Sequence, residues 1–594
     1  MKRLLSGFIL LLLTHTVLLA QVDTTKGILN NQLSKQVIKR VSKKQRDTTL
    51  VAIKSEDAFM PYSGKIIRNI TIKHIGFERT MYSDRTLKSR AINVANSLHS
   101  NTQESVIQDN LFIRRNKPLN PYLVADNERY LRDLDFILDS KIYVRRVKGS
   151  KDSVDLEVVT RDVFSLGITG SADGVDEYSI GIYDANLMGL GQRVQGDVGF
   201  EVGKTPVAGV NLLYRKSSLG GTLINGSLGY TQLNNARSLG EEYEYAYFVR
   251  LDRPLVSPYS RLAGGLEVSQ NWSKNVYLDR DSLFLRYRYN VTDFWGGYNL
   301  GIKNMVKNRN RHFVALRYFR QHFSRQPKQE DNQVLPLYND SKFVLGEFTF
   351  YKKNYYKTRY VYGFGRTEDI PYGQTVSLTT GWMKELGIER PYVGASIIRS
   401  DVMKEGNFYE AEAGIGTFLN NGKSEDGSLF VSVQYYSKLF ETGKVKIRHF
   451  VRAGYAQAIN NRIRELVALN EELRGFSPDS LYGAQRISLR AETTLFTNWK
   501  LAGFRFAPFL SLESAYLKES EENQNVLPRH FYWGSTGGMR IRNENLIFGT
   551  IELRAFYFPT DLQGVDQFSF KITTNVRLKY SGYFVRPPSL VRYN

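Results

Sequence analysis

From Val163 to Tyr580 the chain alternates apolar and polar residues with a period of two, in runs separated by Gly, Asn, Asp or Ser. That texture dictates extended strands with one oily and one wet face. The last run is the clearest. Phe568, Phe570, Ile572, Val576, Leu578 and Tyr580 share one face, and Ser569, Lys571, Thr573, Asn575, Arg577 and Lys579 share the other. Strands of soluble sandwiches rarely exceed about ten residues. This run spans thirteen, begins and ends in aromatics and carries three cations on its polar side. Such a pattern predicts a membrane strand with lipid outside, a wet lumen inside and aromatic girdles at the rims. Leu429, Val431, Val433 and Tyr435 repeat it, as do Ile487, Leu489 and Ala491 set against Arg486, Ser488 and Arg490. Between sixteen and twenty candidate strands can be counted, and Arg462–Arg474 is the one candidate helix among them. A closed ring removes every exposed edge.

The first twenty residues read as an export signal: Lys2 and Arg3, an apolar stretch from Leu4 to Leu13, and Leu18-Leu19-Ala20 before Gln21. Beyond them no run of eighteen apolar residues occurs and mean hydropathy is −0.36, which excludes a helical membrane protein. The absence of Cys excludes disulfides, thiolate metal sites and a cysteine nucleophile. The net charge of +22 (81 Lys+Arg less 59 Asp+Glu) is spread over the whole chain. For an exported barrel this points to lipopolysaccharide phosphates, a charged lumen or anionic clients, with no nucleic acid.

Residues 21–62 are polar and basic. Leu29, Leu33, Val37 and Val41 recur every four residues opposite Lys35, Lys39, Arg40 and Lys43. The segment reads either as an amphipathic helix that plugs a pore or docks on a partner, or as a solvated linker. Residues 63–162 predict an α+β unit: a strand over Ile66–Phe77, helices over Thr80–Phe112 and Tyr122–Leu138, then strands around Ile142–Val144 and Val154–Val158. Residues 163–580 form the barrel, and 581–594 a tail containing Pro587-Pro588.

Three features carry a family resemblance. The 63–162 unit, with Leu98-His99-Ser100-Asn101-Thr102 and Arg129-Tyr130-Leu131-Arg132, resembles a POTRA domain running directly into its barrel. Asn186, Gly189 and Gly191, in Asn186-Leu187-Met188-Gly189-Leu190-Gly191, resemble an asparagine–glycine signature at the end of the second barrel strand. Leu473, Arg474, Gly475 and Phe476 resemble the motif at the tip of the sixth outer loop, with five candidate strands after it. Together they resemble the BamA/TamA-type outer-membrane assembly and secretion superfamily. The resemblance implies one α+β POTRA-like periplasmic domain before an all-β transmembrane barrel of about sixteen antiparallel strands. It also implies that the loop arginine, Arg474, is gripped in the lumen by Glu492 and Glu513, and that the first and last barrel strands, near Phe164–Ala172 and Phe568–Tyr580, meet in a weak seam. More candidate strands precede Leu473 than the eleven such a barrel has there.

The seven histidines show no pair at ligand spacing, and no catalytic or nucleotide motif stands on a suitable scaffold, so neither enzyme activity, metal nor cofactor is expected. His449 reads as a rim or lumen residue. The resemblance implies insertion of outer-membrane proteins or translocation of a polypeptide. Its partners would be unfolded clients, outer-membrane lipid and other envelope proteins. The alternative is a passive pore or structural component that recruits periplasmic partners.

Overall fold

The computed structural model describes residues 53–75, 100–235, 237, 242–275, 285–300, 309–327, 336–403, 405–463, 466–469, 472–476, 481–501, 504–518, 531–543, 549–559, 566–576 and 584–592. The export signal, the stripe Leu29–Val41 and residues 80–99 of the helices predicted over Thr80–Phe112 lie outside them.

The N-terminal unit consists of β1 (Ile66–Ile75), α1 (Glu104–Asp109), α2 (Pro121–Asp133), β2 (Ile137–Arg146) and β3 (Ser153–Asp162). Its sheet has the order β1-β3-β2, with β1 parallel and β2 antiparallel to β3. Val106, Ile107, Val124, Leu131, Leu156 and Val158 form its core. Helix α2 starts sharply because the Asn120 carboxamide accepts from the N–H groups of Tyr122 and Leu123 (3.1 and 3.4 Å) and Pro121 follows the cap. It ends at Asp133, short of the expected Leu138. Leu134 is extended (ψ 138°) and Leu138 already belongs to β2.

Twenty strands follow. They are β4 (Leu166–Asp173), β5 (Glu177–Asp184), β6 (Gln192–Glu201), β7 (Ala208–Lys216), β8 (Asn225–Asn235), β9 (Tyr243–Arg253) and β10 (Leu262–Trp272). Next come β11 (Arg288–Leu300), β12 (Arg311–Arg325), β13 (Ser341–Thr358), β14 (Glu368–Glu385), β15 (Ile388–Val402), β16 (Phe408–Asn420) and β17 (Lys423–Tyr436). The last six are β18 (Val445–Ile459), β19 (Gln485–Phe496), β20 (Phe504–Lys518), β21 (Phe531–Arg542), β22 (Thr550–Tyr557) and β23 (Phe568–Val576). Each pairs antiparallel with the next, and β23 pairs with β4, so the sheet is a closed barrel. The expected count of about sixteen is therefore corrected to twenty. Five strands follow Phe476, as counted, and the surplus upstream belongs to the ring itself. Residues 462–476, where a helix was expected, hold turns and the bridge Val467–Ala468 against Tyr482–Gly483 among the described residues.

The alternation places its apolar members outward. On β19, Ile487 and Leu489 are exposed while Arg486, Ser488, Arg490, Glu492 and Thr494 are buried. On β12, Val314, Leu316 and Tyr318 face out and Phe313 and Ala315 face in. A ring of exposed Leu, Ile, Val and aromatic side chains is tolerable only against lipid. The chain is a membrane-spanning β-barrel.

The pairing is uneven. Strands β13 and β14 are bonded from Ser341 opposite Glu385 to Thr358 opposite Glu368. At the closure, β23 and β4 share three paired positions among the described residues: Lys571–Asp173, Ile572–Ala172 and Thr573–Ser171. The Gly174 N–H donates to the Phe570 carbonyl (2.9 Å), and an ion pair joins Lys571 to Asp173.

Leu316 is 63% exposed on the outer face. Leu316→Arg is expected to destabilise the barrel by about 2–4 kcal/mol in lipid, the cost of a cation at mid-belt. Urea unfolding of the reconstituted protein measures it.

Candidate functional site

The functional surfaces lie at the mouth nearest the N-terminal unit, here the proximal mouth, and inside the lumen. The turn after β5 builds the joint between the two units. Asn186 is buried and works at both ends: its side-chain oxygen accepts from the Gly191 N–H (2.7 Å), and its amide donates to Thr102 Oγ1 (2.8 Å). Thr102 in turn donates through its N–H and its hydroxyl to Asp162, the last residue of β3 (2.7 and 2.9 Å). Gly189 has φ +73°, and an added Cβ would collide with the Asn101 carbonyl oxygen, so a glycine is required there. Gly191 packs on Val106 and Phe136 in the same way. The three signature residues thus clamp the α+β unit to the barrel.

Helix α2 covers the proximal mouth. It presents the buried Asp126, Glu128 and Arg129, and Arg132 beside them, to the barrel. Arg132 makes a two-pronged pair with Asp369 at the start of β14 (2.8 and 3.1 Å) and reaches Glu128 (2.7 Å). Glu128 also pairs with Lys357 and accepts from the Ile142 N–H (2.9 Å). Asp126 accepts from Ser257 Oγ (2.7 Å). The Arg129 guanidinium stacks on Tyr355 (4.3 Å) and lies 5.3 Å from the Phe584 ring. Burial alone would raise the Glu128 carboxyl; Lys357, then Arg132, and the Ile142 N–H outweigh it and hold the group down at about 2. Burial pushes the Asp126 carboxyl upward.

The loop between β18 and β19 folds back into the lumen. Leu473 and Phe476 are buried, and Phe476 packs against Tyr532 and Phe558 (5.9 and 5.2 Å between ring centres). Gly475 has φ +73° and lies on the face of Phe556, where a Cβ would be 2.8 Å from the ring. The Arg474 N–H donates to Glu513 (2.8 Å), while its guanidinium sits 3.8 Å from that carboxylate and is 29% exposed. Glu513 is held closer by Arg490 (3.2 Å), which also pairs with Glu472 of the loop (3.5 Å).

Glu492 lies beyond ion-pair distance of the Arg474 guanidinium, whose charge nonetheless reaches it. It pairs with Arg540 of β21 (2.6 Å), which bridges to Glu552 of β22 (2.8 Å). The expected two-carboxylate grip on Arg474 is thus divided between two chains of charge, because Arg540 sits across the wall on the same layer. Arg540, Glu552 and Glu472 did not stand out in the sequence. For Arg540 and Glu552 the only signal was their place on the inward face, and the loop position of Glu472 offered none.

A further occupant lies inside the barrel. Phe584–Arg592, extended, runs the length of the lumen from Tyr351 and Tyr355 at the proximal mouth to Leu345, Met383, Tyr392 and Phe418 towards the distal one. A cavity of about 690 Å³ remains beside it. His449 sits near the proximal rim, bonded to Thr493 (2.9 Å). Among the described residues no group of three His, Cys, Asp or Glu is placed to hold a metal.

No protein-family model and no curated protein sequence matches the chain. Among solved structures, chains of different kinds align with it over most of their length at 12% identity or less. BamA from Haemophilus ducreyi aligns over 86% of this chain and 84% of its own at 12% identity, with a TM-score of 0.33. CdiB from Acinetobacter baumannii aligns over 96% and 97% at 8% identity (TM-score 0.38), and CdiB from Escherichia coli over 92% and 95% at 10% (TM-score 0.35).

Two outcomes are expected at this site. Arg540→Ala leaves Glu492 and Glu552 buried without their shared cation and is expected to destabilise the barrel by about 3–5 kcal/mol. Arg474→Ala, touching a partly exposed side chain, is expected to have a much smaller effect. Heat-modifiability in gels ranks the two. The second outcome concerns pH. The Glu128 carboxyl is depressed, so its contribution to docking is complete above its ordinary range and is lost as pH falls from about 4.5 towards 2. Hydrogen-exchange protection of residues 121–133, corrected for intrinsic rates, is expected to fall over that window in the wild type. In Glu128→Gln it is expected to be lower at neutral pH and flatter.

Proposed function

We propose that this chain is an outer-membrane protein of the BamA type, with residues 63–162 a POTRA-like domain on the periplasmic side, and that it inserts barrel proteins or passes a polypeptide across the membrane. The observation that carries the reading is the closure of a twenty-strand barrel between β23 and β4, which share three paired positions among the described residues. The two adjoining pairs, β22–β23 and β4–β5, share seven and eight positions, and the tallest pair in the ring shares eighteen, so we place the least costly opening at the seam. An opened seam offers two unpaired strand edges, on which a client strand can be templated through backbone hydrogen bonds.

Beyond Ile142, whose N–H is taken by Glu128, the outer strand β2 of the N-terminal sheet leaves residues 143–146 as a second edge for an extended client. Nucleotides are not available outside the inner membrane, so the driving force is burial and hydrogen bonding of the client itself. Clients, outer-membrane lipid with its phosphates and other envelope proteins are the proposed partners. No enzymatic step, cofactor or nucleic acid enters the reading. A lumen filled by loop, helix and tail weighs against a passive pore.

The chain has no Cys, so an engineered pair stands alone. Asp173→Cys with Lys571→Cys places thiols at directly opposed positions of the seam, within the Cα separation a disulfide spans. The oxidised double variant in liposomes is expected to lose its acceleration of test-barrel folding and to regain it on reduction. Equal rates in both states would remove the seam from the mechanism, and ion conduction without any acceleration would favour the passive pore.

A further inference from the structure

The segment after the last strand is held as a ligand is held. Its backbone is bonded to the wall at both ends of its distal half: Arg317 donates to the Pro588 carbonyl (3.0 Å), the Val591 N–H donates to Tyr392 Oη (2.7 Å), and Ser428 Oγ donates to the Val591 carbonyl (2.7 Å). Pro587 and Pro588 bring no N–H that would need a partner in the lumen. Two side chains act as anchors. Phe584 enters an aromatic pocket of Tyr351 and Tyr355 (ring centres 6.2 and 5.7 Å), and Leu590 enters one formed by Leu345, Met383 and Phe418. Gly414 and Gly416 of β16 leave room for Phe430 and Tyr392 of the wall, which an added Cβ would meet first (2.5 and 2.1 Å), and for Val591 behind them (2.9 and 3.1 Å). Between the anchors Arg586 faces the open cavity, whose wall includes Glu347, Glu410 and Glu412.

We infer that the inner wall from β12 to β17 is a binding site for an extended polypeptide, and that Phe584–Arg592 is its resident occupant. The ligand it takes from outside is a strand-like segment with an aromatic residue, an aliphatic residue six positions later (584 to 590), and a basic residue between them that meets the three carboxylates. Backbone bonding makes the site tolerant of other positions. The inference deepens the polypeptide-handling reading, and rests on it for the identity of the ligand as a client. A tethered occupant competes at an effective concentration of about millimolar, so an outside segment binds only by displacing it.

The probe is a fluorescent peptide of the sequence of residues 583–594, measured by anisotropy on the full chain and on a variant ending at Tyr583, both in nanodiscs. The truncated barrel, checked by heat-modifiability, is expected to bind the peptide saturably and the full chain at least about tenfold more weakly. Alanine at the peptide positions of Phe584 and Leu590 is expected to weaken binding by about tenfold or more. Gly416→Leu in the truncated barrel is expected to abolish it. If truncation prevents folding, the full-length double variant Phe584→Ala/Leu590→Ala serves instead and is expected to admit the peptide in trans. A folded, emptied barrel that ignores the peptide, or binds a scrambled one equally well, overturns the inference. The folding assay separates the two claims: acceleration without peptide binding leaves the function and removes the site, and peptide binding without acceleration does the reverse.

Discussion

Everything in this molecule follows from closing a sheet in lipid. A backbone in hydrocarbon must satisfy its hydrogen bonds internally, and a strand ring does so only if it has no edge. Closing it with twenty strands sets a second requirement. Inward side chains fill a ring of about eight strands, whereas a wider one encloses space that they cannot reach across. Among the described residues the lumen is packed by α2 at the proximal mouth, the loop carrying Leu473–Phe476, and Phe584–Arg592.

These fillers are tied to the wall by charge as much as by apolar contact. Arg132 of α2 pairs with Asp369 of β14 (2.8 Å), and Glu472 of the loop pairs with Arg452 and Arg490 of the wall (3.2 and 3.5 Å). Each such pair is costly to desolvate, and it is costlier to break from one side. The arrangement fixes where each filler sits while leaving the fillers free of covalent restraint, since the chain has no Cys.

The barrel was legible because a half-buried strand writes its environment into every second residue. On β19 the reading assigns each face as the structure does, from Arg486 inward to Leu489 outward. Strand number was not legible from the resemblance: the surplus of candidates before Leu473 had to be either hairpins or ring, and local pattern does not distinguish them. The partner of Glu492 was hidden for another reason. Strand tilt decides which inward residue of β21 lies level with it, and that is a property of the whole ring. Phe584–Arg592 has neither period two nor a helical stripe, because a chain held on all sides by a lumen needs no repeating face. Leu134 ended α2 early by turning extended, where an apolar spacing of three and four argued for continuation.

The ring is also lopsided in height. Strands β13 and β14 have eighteen residues each, and β4 and β5 have eight. At about 3.3 Å per residue and a tilt near 40°, the tall wall rises about 45 Å and the short one about 20 Å, against about 30 Å of hydrocarbon. The tall side projects beyond the bilayer and the short side cannot span it. Lipid in contact with β4 and β5 is therefore drawn thin, with headgroups pulled towards the midplane, at a fraction of a kcal/mol for each ångström of mismatch. The closure between β23 and β4 lies on that low side of the ring, where the backbone of the wall has the shortest distance to water.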